Sequence, residues 1–167
     1  KTLGNVIDPT DLIDKYGSDP LRYYLLRYIS PFADGDFSKD KFEKLYNADL
    51  ANGLGNLIAR VAKLCENSSY VQMGSQSRVS GHLISIEGYS NAMSDFRFND
   101  ALSFVWKKVT IANKKIDDTK PWELTDEKLE EALSPLIEQI SEIAIFLQPF
   151  LPTTSEKILK QFYGPTI

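Results

Sequence analysis

Asn56 and Arg60 stand four residues apart in the stretch Ser38 to Cys65, SKDKFEKLYNADLANGLGNLIARVAKLC. A helix there would hold an amide and a guanidinium one turn, roughly 6 Å of rise, from each other. An amide that donates and accepts, next to a planar fork of donors, can bond the edge of a flat heterocycle such as a nucleobase. The same two groups can equally bond neighbouring side chains or water. The third residue of this kind is Trp122 in DDTKPWEL, directly after a proline and among polar neighbours. Its indole is either pinned back on a core or open as a platform for an unstacked base, a contact that contributes about 1 to 3 kcal/mol per base.

The elements that must position these groups follow from apolar spacing. Phe42, Leu45, Tyr46, Leu50, Leu54, Leu57, Val61 and Leu64 recur three or four apart, which predicts one long helix from Ser38 to Cys65 with a single buried face. Ser38 is the expected N-cap, its hydroxyl accepting from a backbone N–H of the first turn. Asn52, Asn56, Arg60 and Lys63 share the polar face. Gly53 and Gly55 sit mid-helix, where each costs about 1 kcal/mol relative to alanine. Close approach of another helix is the expected compensation.

With 167 residues, 43% hydrophobic and 25% charged, the chain is long enough for one ordinary domain with a small appendage. No apolar run approaches the roughly 20 residues needed to span a bilayer, and the start KTLGNVIDP lacks signal-peptide anatomy. No membrane partner and a cytoplasmic location are expected. The single Cys65 falls on the apolar side and is expected to fill core. One His and one Cys leave no ligand cluster for a metal, and His82 is expected at the surface or a helix start. No nucleophile triad or glycine-rich phosphate loop can be assembled, so a self-sufficient catalytic site is not expected. The formal charge of −4 is uneven, because residues 101 to 120 carry five Lys/Arg against two Asp/Glu and residues 121 to 167 carry three against eight. A locally basic zone suits a polyanion. Lys63, Lys114, Lys115 and Lys120 are the candidate phosphate contacts, while Lys107, Lys108, Lys114 and Lys115 can equally form a solvated helix face.

In chain order, Lys1 to Ile7 predicts a loop passing into a brief extended segment, and Asp8-Pro9 predicts a helix start. That helix stops at Gly17. Asp19-Pro20 repeats the signal for a second helix, ended by Ser30-Pro31, and FADGDF predicts a turn with a short strand beside it. Arg22 and Arg27 are expected to pair with nearby aspartates. After a connection rich in Ser and Gly, helices are predicted at about Leu83 to Asp95 and from Asn99 or Asp100 onward, with Trp106 in the buried stripe of the latter. Thr125-Asp126 predicts another cap, with a break near Ser134-Pro135. Thr153 to Glu156 spells a capping box for a last helix, ending at Gly164-Pro165.

The opening KTLGNVIDPTDLIDKYGSDPLRYYLL resembles the segment after the K-M-S-K-S signature of class I aminoacyl-tRNA synthetases, with Lys1 and Thr2 matching its last two positions. DGDFS at 34 to 38, LANGLGNLIAR at 50 to 60 and KPW at 120 to 122 narrow the resemblance to the methionyl-tRNA synthetase family. It covers essentially the whole chain. The resemblance implies an all-α antiparallel helical bundle of the class Ia anticodon-binding type, residues 38–167. Ahead of it, residues 1–37 would be the later part of a small α/β stem-contact fold. It further implies that Asn56, Arg60 and Trp122 contact the anticodon, chiefly its first base, cytosine.

The partners so implied are the anticodon stem-loop of tRNA(Met) and the catalytic domain of the same polypeptide. ATP and methionine would bind that missing domain, so no cofactor is expected in this stretch and no aminoacylation by these residues alone. Lys1 would be a remnant of the ATP loop. Two alternatives stand beside this: the anticodon domain of another class Ia enzyme, of the Ile, Val or Leu type, and a helical protein-interaction module.

Overall fold

Local sequence signals account for most of the helix boundaries. In the computed structural model, which describes residues 8–66 and 87–163, Asp8 accepts from the Thr10 N–H at 2.8 Å and caps α1 (Pro9–Tyr16). Gly17 then adopts a φ of 84°, which glycine takes without the steric penalty of a Cβ. Lys1, the expected extended start, most of the connection with His82, and the Gly164-Pro165 stop lie outside the described residues.

The second helix, α2 (Ser18–Tyr28), starts at Ser18 rather than being capped by Asp19. The buried carboxylate of Asp19 instead crosses the molecule and accepts from the Thr154 N–H at 2.7 Å. Thr154 belongs to the first turn of the last helix, α8 (Pro152–Tyr163). The expected capping box is therefore replaced by a carboxylate from another element, and Glu156 pairs with Lys160 at 2.6 Å. Arg22 and Arg27 likewise reach across the fold rather than to nearby aspartates. Arg22 donates to the carbonyls of Pro149 and Phe150, and Arg27 to Asn99 O and Ser103 Oγ. The Pro149 and Phe150 carbonyls lie in the turn after α7, where the helix ladder has ended and they are open to such a long donor.

The predicted long helix is a continuous rod in three parts: α3 (Lys39–Leu45), a π-helical segment (Tyr46–Gly55) and α4 (Asn56–Glu66). Ser38 caps it as expected, accepting from the Lys41 N–H at 3.4 Å. The change of winding has a packing cause. Leu45 and Leu54 are both buried, yet nine α-helical residues at about 100° each would set them on opposite sides. An i→i+5 ladder holds roughly 4.4 residues per turn, about 82° each, and brings the two back to within about 20°. One rod can then bury Phe42 and Leu45 at its start and Leu54, Leu57 and Val61 further on.

The glycines serve this winding more than a helix crossing. A Cβ on Gly55 would sit 3.0 Å from the Leu50 carbonyl oxygen, and one on Gly53 3.3 Å from that of Ala48. Each clash is with the carbonyl five residues back. A neighbouring helix does approach Gly53, where the indole nitrogen of Trp106 would lie 3.8 Å from the added carbon.

Helix α5 (Glu87–Ser94) leads through Phe96, at φ 57°, into α6 (Phe98–Thr119). Lys120 closes α6 in the left-handed region at φ 44°, a 3-10 turn (Pro121–Glu123) follows, and α7 (Asp126–Leu147) returns alongside. The short connection makes α6 and α7 antiparallel neighbours. Pro135 lies inside α7 without ending it, because Leu133 and Leu136 on either side are completely buried and packing holds the helix through the missing bond. Trp106 is partly buried, packed against Tyr23 at 4.7 Å between ring centres, with no acceptor for its indole N–H among the described residues.

One hydrophobic core joins α1 and α2 to the remaining helices, from Leu12, Tyr23 and Tyr24 to Leu147 and Ile158. Among the described residues the fold is all-α. The strand expected beside FADGDF is absent there, since an extended segment needs a second strand to form a ladder. Among those residues, no helix is long and apolar enough to cross a membrane.

Leu133 is fully buried, so Leu133→Ala should cost about 2 to 5 kcal/mol in chemical denaturation. Burial pushes the Cys65 thiol up to about 11. Mass spectrometry after alkylation at neutral pH should therefore find Cys65 protected in the native chain and modified once the chain is unfolded.

Candidate nucleic-acid interface

The winding of the rod ends at Asn56, whose backbone N–H bonds the carbonyls of Ala51 and Gly53. From there α4 runs with ordinary α geometry, so Asn56 and Arg60 fall one turn apart on its solvent side while Leu57 and Val61 are buried. The Asn56 side chain is exposed and makes no hydrogen bond to any described residue. Its amide is open to an incoming donor and acceptor together.

Arg60 is held from two directions. Its Nη2 donates to Asp117 Oδ1 at 2.6 Å, and its guanidinium carbon lies 5.8 Å from the ring centre of Trp122. Asp117 comes from the last turn of α6 and Trp122 from the 3-10 turn that follows. The left-handed residue Lys120 makes this possible, because it ends α6 sharply and Pro121 is buried beneath the turn while Trp122 stands out, 54% exposed. The Arg60 side chain is 28% exposed and that of Asp117 63%. The ion pair is therefore well solvated and contributes at most about 1 kcal/mol. Its effect is orientation: it engages one edge of the guanidinium and holds the group beside an exposed indole.

The structure thus brings together Arg60 and Trp122, two residues 62 positions apart, with Asn56 on the adjoining turn of α4. Spacing along the sequence could place Asn56 beside Arg60 but not Trp122 beside either. Asp117 was missed at the sequence level. Its only signal was an acidic pair five residues before the tryptophan, and helix-end acids usually face solvent.

The lysines divide. Lys63 is exposed on the Arg60 face and pairs with Glu66 at 2.9 Å. Lys120 is exposed and lies 3.8 Å from Glu123. Lys114 is exposed and, three residues before Asp117, shares its side of α6. Lys115 lies two turns beyond Lys108, whose ammonium pairs with Glu142 of α7 at 3.0 Å, so it belongs to the α7 side of the helix. Lys1 is not among the described residues.

A separate cavity of about 700 Å³ opens between the α1–α2 corner, the rod and α8, floored by Leu50, Leu54 and Ile58. None of Asn56, Arg60 and Trp122 lines it. Among the described residues no group of three or more His, Cys, Asp or Glu could hold a metal ion.

Comparison with known proteins bears on this geometry. A family model described as tRNA synthetases class I (M) matches residues 1–62, and one described as anticodon-binding domain of tRNA ligase matches residues 85–167. This chain belongs to the methionyl-tRNA synthetase family. The methionine--tRNA ligase of Bacillus subtilis is 38% identical over 175 residues, covering 96% of this chain and 26% of that protein. That of Synechocystis is 37% identical, with 96% and 33% covered. Among solved structures, Mycobacterium tuberculosis methionyl-tRNA synthetase bound by methionyl-adenylate superposes with a TM-score of 0.78 at 26% identity, over 96% of this chain and 35% of that one. The chain therefore spans about a quarter to a third of the length of the relatives it matches.

Neutralising Asp117 removes one anchor of Arg60. Asp117→Asn should change stability by less than about 1 kcal/mol. In a Trp106→Phe background it should still alter the emission of Trp122, because the guanidinium leaves its place over the ring.

Proposed function

We propose that this chain is the part of a methionine-tRNA ligase that reads the tRNA anticodon, and that it reads the bases CAU. The observation that carries this is the guanidinium of Arg60 beside the exposed indole of Trp122, with the amide of Asn56, unpartnered among the described residues, one turn away. Anticodon bases are single-stranded, so they can be splayed out, stacked on an aromatic face and bonded along their Watson–Crick edge. Trp122 supplies the face. Arg60, a donor only, matches the O2 and N3 acceptors of cytosine, and the Asn56 oxygen can accept from its exocyclic amine. Uracil keeps the O2 acceptor but offers a donor at N3 and a carbonyl in place of the amine, so the Arg60 bond to N3 and the bond from the amine to the Asn56 oxygen are both lost. A guanidinium held by Asp117 is preorganised for such an edge.

Lys63, Lys114 and Lys120 stand near enough along α4 and α6 to add backbone attraction, which depends on salt and not on sequence. Lys115, on the α7 side, is the weakest of the phosphate candidates. The chain would hold tRNA(Met) for ATP-dependent aminoacylation by a catalytic domain of the same polypeptide, which is where ATP and methionine would bind. The family match supports this division of labour.

Binding of anticodon stem-loop hairpins to the 167-residue chain tests the proposal. The CAU hairpin should bind more tightly than GAU. Trp122→Ala should weaken CAU binding by about 1 to 3 kcal/mol, and Arg60→Ala should abolish the preference for CAU while leaving the salt dependence nearly intact. Equal binding of all hairpins by the unaltered chain, or a CAU preference that survives Arg60→Ala, would overturn it. An interaction module for proteins predicts no hairpin binding at all.

A further inference from the structure

Resting on the base-reading role of Asn56, we infer that Asn113 is a positioning residue for base recognition, acting on Asn56 through a carbonyl that the two share. That carbonyl is Gly53 O, in the last turn of the π-helical segment. It accepts from the backbone N–H of Asn56 and from Nδ2 of Asn113 at 3.3 Å. The Asn113 amide also donates to Val109 O at 3.1 Å, within its own helix, so its plane is fixed by α6. The half-buried amide thus ties the helix that carries Asp117 and leads to Trp122 to the Gly53–Leu54 peptide, whose carbonyl also receives the Asn56 N–H.

The place of this tie matters because the winding changes there. The Asn56 N–H also closes the final i→i−5 bond, to Ala51 O. Each residue of π winding differs from α winding by about 18°, so relaxing one turn before Asn56 would turn the start of α4 by roughly 80°. Arg60 is secured independently by Asp117 and Trp122. Asn56 and Arg60 share α4, so with its second turn held through Arg60 the loss of the lock loosens chiefly the first turn, where Asn56 stands.

Further contacts hold the same segment. Trp106 turns its indole nitrogen toward Gly53, Tyr23 donates to Asp49 Oδ2 at 2.7 Å, and the Tyr23 and Trp106 rings pack together. Trp106 reaches Gly53 by packing, whereas Asn113 bonds the Gly53 carbonyl that also receives the Asn56 N–H.

The discriminating quantity is the ratio of CAU to GAU hairpin affinity, measured beside the melting temperature. A residue needed only for the fold would lower the melting temperature or weaken both hairpins equally. Asn113→Ala should reduce the ratio by about fivefold, the loss of one typical hydrogen bond, with little change in melting. Asn113→Gln, which keeps the amide donor, should restore part of it. A second readout needs no substitution: the side-chain amide resonance of Asn113 in the unaltered chain should shift when the CAU hairpin binds and stay in place when GAU is added. An unchanged ratio in a folded Asn113→Ala, or a static Asn113 resonance in a chain that discriminates, would overturn the inference. Absence of discrimination in the unaltered chain would instead overturn the base-reading proposal on which it rests.

Discussion

The rod from Ser38 to Glu66 must bury one face along its whole length with a sequence that cannot keep that face in α-helical phase. Leu45 and Leu54 would point opposite ways in a uniform α-helix, yet both lie in the core. Ten residues of π winding absorb the mismatch. Gly53 and Gly55 permit it because a Cβ at either place would press on the carbonyl five residues earlier. Helices α2, α6, α7 and α8 meet a rod whose buried side is set by this correction, α2 through Tyr23 and Asp49 and α6 through Asn113 and Gly53.

The polar side of the rod inherits the same correction. Once Leu57 and Val61 face inward, Asn56 and Arg60 face solvent, and the end of α6 arrives beside them. A left-handed Lys120, a buried Pro121 and an exposed Trp122 set an indole at that helix end, beside Arg60. Asp117 and the indole fix the guanidinium from two directions. The interactions are individually weak, and their common effect is to restrict orientation where a ligand would otherwise have to impose it.

The opening helices illustrate a related economy. Asp19 has the local pattern of an N-cap for its own helix, but serves the N-terminus of α8 instead. Arg22 and Arg27 fasten the same helix to carbonyls more than 70 residues away in sequence. These long-range polar contacts, with the shared core of Leu12, Tyr23 and Tyr24, make the first two helices part of one packed body with the bundle.

By itself the sequence determined the helices and their ends: the Asp8-Pro9 and Ser38 caps, the stop at Gly17, the buried stripes, and the adjacency of Asn56 and Arg60. Those features arise from spacing and from side chains acting on backbone within a few residues, so they are written locally. The resemblance of its motifs to the methionyl-tRNA synthetase family was legible for the same reason. Only the tertiary structure decided the π winding, the survival of α7 through Pro135, the loss of the capping box to Asp19 and the meeting of Arg60 with Asp117 and Trp122. Each is a contest between a local preference and packing against an element distant in the chain, and its winner depends on burial and on partners that no short window of residues contains.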